Sequence, residues 1–185
     1  WLNGVYIRAL DPAALKQHLL PFVAPALGMD AAALAADERF DHLIPLIQER
    51  IKFLTEAKDG VLAMVDIHGA PYAIPVNHAL IDGYLVIHCA RGGRKIDCLR
   101  ADNRVCYTVY RAIDISPEQL TTKYTSAVVV GRAELVEDVD VKAKLLRRLT
   151  EILAPGAEFA CDDGAVADTG VIRIKIEKIT GKANR

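Results

Sequence analysis

Residues 88–95, His-Cys-Ala-Arg-Gly-Gly-Arg-Lys, contain the most informative motif of this chain, a strand end that passes through two glycines into a helix. They end an apolar, strand-like run that begins at Tyr84, and they lead into a short helical pattern at 95–101. A double glycine lets backbone N–H groups approach a ligand closely, and a helix N-terminus beside cationic side chains favours an anion. The stretch therefore predicts a phosphate anchor, built around Gly93, Arg94 and Lys95. A plain Gly-Gly turn among solvated cations fits the same spacing. The glycine spacings of a P-loop and of a dinucleotide turn are absent.

The residues on both sides of this stretch have the pattern of strands and turns. Asp82-Gly83 is a strong hairpin signal, and Pro75 indicates an edge position or a bulge for the strand that contains it. Short apolar runs with β-branched residues predict strands at 61–67, 72–80, 84–90, 105–110, 125–136 and 171–179. About six strands with few helices predict a mainly β fold with helices (α+β), organised as a small barrel.

Helical patterns lie mostly before the strands. Asp11-Pro12 is typical of a helix start, and an apolar stripe predicts a second helix that begins after Asp41 or Pro45. These patterns predict a helical segment at 1–55, followed by a barrel domain at 56–185. Within the barrel domain, residues 116–119 resemble a capping box, which predicts a short helical turn, and 141–153 predict a helix. Residues 159–169 have the pattern of a loop.

Composition excludes several classes of protein. The chain has 185 residues, of which 52% are hydrophobic and 25% charged, with a formal net charge of −1. These values are typical of a globular domain and do not favour general nucleic-acid binding. The four cysteines form no CxxC pair, so we expect neither a zinc ribbon nor a disulfide framework. No apolar stretch reaches the length of a membrane span, and we expect a cytoplasmic protein. One local excess of positive charge stands out at 91–111, with six cations against two carboxylates.

The histidines and nucleophiles give weaker signals. His78 and His88 fall on neighbouring predicted strands, but no carboxylate or cysteine completes a ligand set, so no metal site is predicted. His78 is a candidate proton donor beside a bound ring; a hydrogen-bonded structural histidine is the alternative. Cys89 and Ser126 have no nucleophile elbow or evident base. Residues 121–126 offer hydroxyls, a cation and the Tyr124 ring to a heteroaromatic ligand, or else are the polar start of a strand.

A family resemblance brings these separate signals together. Residues 60–185 resemble the flavoproteins related to pyridoxamine 5′-phosphate oxidase, in particular the nitroimidazole-resistance branch. The resemblance rests on an ordered set of short motifs: 60–64, Pro71-Tyr72, Ile74-Pro75-Val76-Asn77, 88–97, 104–106, 122–126, 131–134 and 179–183. Each motif is short, but their order along the chain is specific.

The resemblance implies a split β-barrel that binds flavin mononucleotide (FMN) at a homodimer interface. It implies that Gly93, Arg94 and Lys95 hold the phosphate, and it assigns three further stretches to the cofactor: Pro75-Val76-Asn77, His88-Cys89-Ala90 and Tyr124-Thr125-Ser126. It also implies an oxidoreductase of small molecules such as nitroaromatics, with a nicotinamide as a candidate electron donor. A non-catalytic flavin- or haem-binding module is the alternative.

The first 55 residues resemble a different family. The stretches 1–8, 19–22 and 46–52 are similar to the helical tRNA-contacting region of glutamyl-tRNA synthetases. The ATP-binding motifs of those enzymes are absent, and the balanced charge gives little reason for salt-dependent RNA affinity. We therefore interpret this segment as a helical appendage, and a tRNA-contacting fragment is the alternative.

Overall fold

The computed structural model describes residues 13, 16, 17, 20 and 30–184, apart from the side chains of Phe40, Leu43, Leu46 and Ile47. The chain divides into two compact units, residues 1–53 and 54–185. Over the described residues, no helix combines the length and the apolar character that crossing a bilayer requires.

The first unit is helical where it is described. Residues 13, 16, 17 and 20 are helical, as the Asp11-Pro12 start predicts. All other residues of 1–29 lie outside the described part, including the stretches 1–8 and 21–22 of the synthetase resemblance. Helix α1 (Ala31–Ala35) is capped by the Asp30 carboxylate, which accepts from the N–H of Ala33. Helix α2 (Glu38–Glu56) starts before the predicted positions and contains Pro45. Three acidic side chains, Asp37, Glu38 and Asp41, precede or occupy its first turn and favour the earlier start.

The second unit contains seven strands and three helices in the order β1 (Asp59–Val65), β2 (Pro71–Asn77), β3 (Ala79–Ile81), β4 (Tyr84–Ala90), α3 (Arg94–Ala101), β5 (Arg104–Ser116), β6 (Thr121–Leu135), α4 (Val139–Leu153), α5 (Asp163–Asp168) and β7 (Thr169–Asn184). All seven strands belong to one antiparallel sheet of order β2-β1-β5-β6-β7-β4-β3. The predicted mainly β fold with helices is confirmed.

The strand order shows that the sheet curls into a half-barrel. Strands β2 and β3 are the two edges of the sheet, yet only His78 separates them along the chain. The edges therefore have to meet at this residue. On the other side, β1 pairs with β5 over three residues only, from Val61 to Ala63, so these two strands diverge and leave the barrel split. Pro75 lies on edge strand β2, as predicted.

Turn chemistry sets the register of the barrel. Asp82 and Gly83 both have positive φ, 50° and 82°, which is the type I′ geometry that joins β3 to β4. Gly131 lies at a register shift of the β6–β7 ladder, where a Cβ would stand 2.2 Å from the Lys175 carbonyl oxygen.

The barrel interior is filled by fully buried side chains: Leu62, Leu85, Ile87, Tyr107, Val129, Ile172 and Ile174.

Two local predictions are wrong. Residues 117–120 form a hairpin turn rather than a helical one, because Ser116 pairs with Thr121 and the ladder closes directly across the turn. The predicted loop at 159–169 contains helix α5, whose N-cap Asp162 accepts from the N–H of Ala165 at 2.7 Å. The helix is one and a half turns long and has one buried residue, Val166, so it carries no periodic pattern.

Candidate functional site

The corner between β4 and α3, formed by residues 91–95, has the backbone of an anion site. Gly93 has a φ of 102°, a region that favours glycine, and it precedes the helix without any side-chain cap. Its carbonyl accepts from the N–H groups of Ile96 and Asp97. Among the described residues, none accepts from the N–H groups of Arg94 or Lys95. An uncapped helix N-terminus with free N–H groups attracts an anion.

Cationic side chains surround this corner. Lys95 is half-buried and interacts with the thiol of Cys89, so the two predicted site residues are brought together. Burial raises the pKa of the Cys89 thiol, and the nearby Lys95 ammonium only partly opposes this effect, so the thiol is neutral at physiological pH. Arg91 is exposed and lies 3.9 Å from the Asp168 carboxylate, a weak, solvent-screened pair. The corner therefore keeps positive charge for a ligand.

Arg94 is engaged by the turn between β1 and β2. Its Nη2 donates to Asp66 Oδ2 at 3.0 Å, and its guanidinium lies 4.3 Å from the centre of the Tyr72 ring. The other oxygen of Asp66 accepts from the N–H groups of Ala70 and His68, and these bonds, with Arg94, lower the pKa of the Asp66 carboxyl. Arg94 thus links the corner to the turn between β1 and β2 through Asp66 and to β2 through Tyr72. No local pattern indicates Asp66 as the partner of Arg94, because 28 residues separate them.

The predicted cofactor residues of β2 and β4 lie near the corner. Strand β2 contacts β4, and α3 contacts β1. On β2, Pro75 and Asn77 are exposed and Val76 is half-buried, while the Asn77 amide donates to the Lys58 carbonyl at 3.2 Å. At the end of β4, His88 and Ala90 are exposed and Cys89 is half-buried. The end of β4 leads directly into the corner, β2 contacts β4, and Tyr72 of β2 lies under the Arg94 guanidinium at the start of α3.

Tyr124, Thr125 and Ser126 lie elsewhere, on the outer half of the β5–β6 hairpin. They pair with residues 110–112 on β5 and 182–184 on β7. The Tyr124 ring packs against Tyr110 with 5.8 Å between centroids, and Ser126 Oγ donates to the Lys182 carbonyl at 3.3 Å. Within one chain, these three residues belong to the hairpin rather than to the corner. Their assignment to the cofactor stays a prediction that requires a second chain.

His78 is fully buried at the junction of the two sheet edges. Its Nε2 lies 3.0 Å from the Leu54 carbonyl oxygen, which can only accept, so Nε2 carries the proton. The unprotonated Nδ1 then accepts from the Tyr107 hydroxyl at 2.7 Å. Both ring nitrogens are engaged, which leaves neither for a metal and fits the structural alternative for His78. Over the described residues, no group of three or more potential metal ligands occurs.

The buried imidazole predicts a pH-dependent stability. Burial lowers the pKa of His78 below its ordinary 6.5, although the Leu54 carbonyl partly opposes the shift. Below pH 6.5 the unfolded chain binds a proton that the folded chain does not. The free energy of unfolding should therefore be highest above pH 6.5 and fall by up to about 1.4 kcal/mol per pH unit as the pH decreases toward the lowered pKa.

Urea unfolding at pH 7.5, 6.5 and 5.5 measures this dependence. The His78→Gln variant should show a shallower decrease over this range, while the exposed turn variant His68→Gln should keep the parental slope. Equal slopes for the parent protein and His78→Gln would contradict this role of His78.

Together, the strand order and the corner at the end of β4 describe a small split half-barrel with an uncapped helix start beside cationic side chains. A family model described as pyridoxamine 5′-phosphate oxidase matches residues 47–183, and the chain belongs to this family. The predicted family resemblance is confirmed.

Solved structures support the fold. A protein of Bacteroides thetaiotaomicron assigned to 5-nitroimidazole antibiotic resistance superposes with a TM-score of 0.66 at 24% identity, covering 72% of this chain and 81% of that chain. An FAD and haem binding protein of Mycobacterium smegmatis gives 0.65 at 24% identity, covering 74% and 71%. An FAD-binding protein of Mesorhizobium loti gives 0.55 at 29% identity, covering 74% and 94%.

The resemblance to glutamyl-tRNA synthetases also appears among curated proteins. Glutamate–tRNA ligase of Herpetosiphon aurantiacus is 38% identical over 58 residues, which is 31% of this chain. The chain spans only 12% of the length of that enzyme. The match concerns a short segment and does not bring the ligase activity with it.

Proposed function

We propose that this protein is a flavin-binding oxidoreductase that holds FMN by its phosphate at the corner 91–95. The observation that carries the proposal is the uncapped start of α3 beside Lys95, in a member of this family. A Cβ added at Gly92 or Gly93 would meet nothing within 4 Å, so the outer side of the corner has room for a phosphate group. When bound, the flavin supplies the hydride or electron transfer.

The chain's own residues then position the cofactor. The N–H groups of Arg94 and Lys95, with the Lys95 ammonium, bind the phosphate, and Arg94 keeps the corner rigid through Asp66 and Tyr72. Pro75, Val76 and Asn77 would line the flavin ring, and the contact of edge strand β2 with β4 supports this role. The flavin-binding relatives from Mycobacterium smegmatis and Mesorhizobium loti support a flavin as the ligand.

The substrate class in this proposal is a small oxidised organic molecule such as a nitroaromatic, with a nicotinamide as electron donor. The test mixes flavin-loaded protein with reduced nicotinamide under anaerobic conditions and then adds a nitroimidazole. Bleaching of the flavin, followed by its reoxidation on addition of the nitroimidazole, is expected. A flavin that stays oxidised with reduced nicotinamide, and that is not reoxidised by the nitroimidazole after chemical reduction, would instead support the non-catalytic binding module.

A homodimer completes the proposal. The outer β5–β6 hairpin exposes large apolar side chains, with exposed fractions of 58% for Tyr110, 58% for Ile113, 70% for Ile115 and 92% for Leu120. Such a patch is costly in water and is typical of an interface. Covered by a second copy, this hairpin would bring Tyr124, Thr125 and Ser126 to the partner's corner.

The Ile115→Lys variant tests the dimer, because a lysine in an apolar contact would have to be buried without a partner. We expect the parent protein to sediment as a dimer and the variant to shift to the monomer by at least tenfold in dissociation constant. Asp114→Lys, on the preceding residue of the same hairpin, is the matched control and should remain dimeric. A parent protein that is monomeric at micromolar concentration would contradict the interface.

A further inference from the structure

A small cavity lies beside α3, and it shares only Arg91 with the exposed corner. It is lined by α3, the end of β6, α4 and the start of β7, it is partly open to solvent, and its volume of about 10 Å³ has room for one water-sized particle. Three cationic side chains line it, Arg91, Arg100 and Lys142, together with Glu137. The charge of this lining is the unusual feature, because cavities of this size are ordinarily apolar or hold a water.

Lys142 is the most constrained of these cations. It is 2% exposed, on the inner face of α4, and its Nζ donates to the Ala167 carbonyl at 3.3 Å. That carbonyl belongs to the last turn of α5, so the contact is favourable for a positive charge. An ammonium group has three donors, however, and Ala167 is its one acceptor among the described residues. A buried ammonium with incomplete pairing is costly.

The carboxylates nearby offset only part of the positive charge, because three cations and one carboxylate, Glu137, line the cavity. Over the described residues, Glu137 lies within 4 Å of no cationic group, and neither Lys142 nor Arg100 forms an ion pair. Asp168 lies 3.9 Å from Arg91, but both side chains are largely exposed, so water screens the pair. The cavity therefore retains an excess of positive charge around a space for one particle.

We infer that this cavity binds a single small monovalent anion, with chloride as the physiological ligand. Lys142 supplies the buried donor, and Arg100 supplies charge at the rim. A monatomic halide matches the volume of about 10 Å³, which has room for one water-sized particle, better than a polyatomic anion does. The anion would complete the pairing of Lys142 and so stabilise the junction of α3, α4 and β7. The inference can be tested apart from flavin binding, because Lys142 and Arg100 lie outside the corner and neither Lys95 nor the N–H groups of the corner are involved.

Thermal unfolding of the full chain without flavin tests the inference. Sodium chloride is compared with sodium gluconate at equal ionic strength, because gluconate is too large for the cavity. At a chloride concentration about ten times the dissociation constant, the melting temperature of the parent protein should exceed that in gluconate by about 3–5 °C. The Lys142→Met and Arg100→Gln variants should lose this difference. Lys144→Met, an exposed lysine on the same helix, should keep it.

Bromide soaked into crystals locates the ion directly. An anomalous peak between Lys142 and Arg100 is expected in the parent protein. Equal melting temperatures in chloride and gluconate, a difference that persists in Arg100→Gln, or a soaked crystal without a peak in the cavity would each overturn the inference. Arg100 is exposed, so its variant is expected to fold even if Lys142→Met does not.

Discussion

FMN is expected to bind the Lys95→Ala variant about 10- to 150-fold more weakly than the parent protein. A charge-assisted hydrogen bond to a phosphate contributes about 1.5–3 kcal/mol when it is removed, which corresponds to this change in affinity. Lys95 is the cation best placed for this contact, because it is half-buried in the first turn of α3 and makes no ion pair with a carboxylate among the described residues. Titration of flavin-free protein with FMN, followed by flavin fluorescence, measures the change.

Two controls make this result specific to the phosphate. Riboflavin lacks the phosphate, so Lys95→Ala should leave its affinity within about twofold of the parental value. Lys178→Ala removes an exposed lysine from β7 and should bind FMN as the parent does. An unchanged FMN affinity in Lys95→Ala, or an equal loss for riboflavin, would show that Lys95 does not hold the phosphate.

The Gly131→Ala variant is expected to lose about 3 kcal/mol or more of the free energy of unfolding. Overpacking a well-filled core costs about 1–3 kcal/mol, and more where the neighbour cannot move. At Gly131 the added Cβ would stand 2.2 Å from the Lys175 carbonyl oxygen, which is backbone and is fixed by the β6–β7 ladder. The ladder would have to separate at its register shift. Urea unfolding at pH 7.5 gives the difference.

Gly92→Ala is the matched control for this effect. A Cβ at Gly92 meets nothing within 4 Å, and its backbone is not in the left-handed region. Its free energy of unfolding should remain within about 0.5 kcal/mol of the parental value. A Gly131→Ala protein as stable as the Gly92→Ala protein would show that the two strands can separate there at little cost.

The sequence predicted those parts of the fold that depend on local chemistry. Asp82-Gly83 requires positive φ at both residues, and the hairpin forms there. Pro75 cannot donate in a central strand, and β2 lies at the edge of the sheet. The capping-box motif at Ser116 misled because the same residues also serve in a turn, and the long β5–β6 ladder decides between the two. Helix α5 was missed because one buried residue gives no period.

The candidate site was predictable to a similar extent. Only Arg94 separates the double glycine from Lys95, so their meeting at one corner follows from the sequence. The role of Arg94 does not, because its partners Asp66 and Tyr72 come from the distant β1–β2 region and are brought close only by the curled sheet. The same applies to His78, whose partners Leu54 and Tyr107 are 24 and 29 residues away. Local motifs indicate a ligand, while long-range contacts decide which side chains remain available to it.

Absorbance spectroscopy of the purified full chain tests the central proposal most directly. The protein is supplied with FMN, freed of unbound ligand by gel filtration and examined in the visible range. We predict a yellow protein that retains one flavin per chain and releases it when unfolded. A colourless protein that retains no flavin after saturation would contradict the assignment of the corner at Gly93 and Lys95 as a flavin phosphate site.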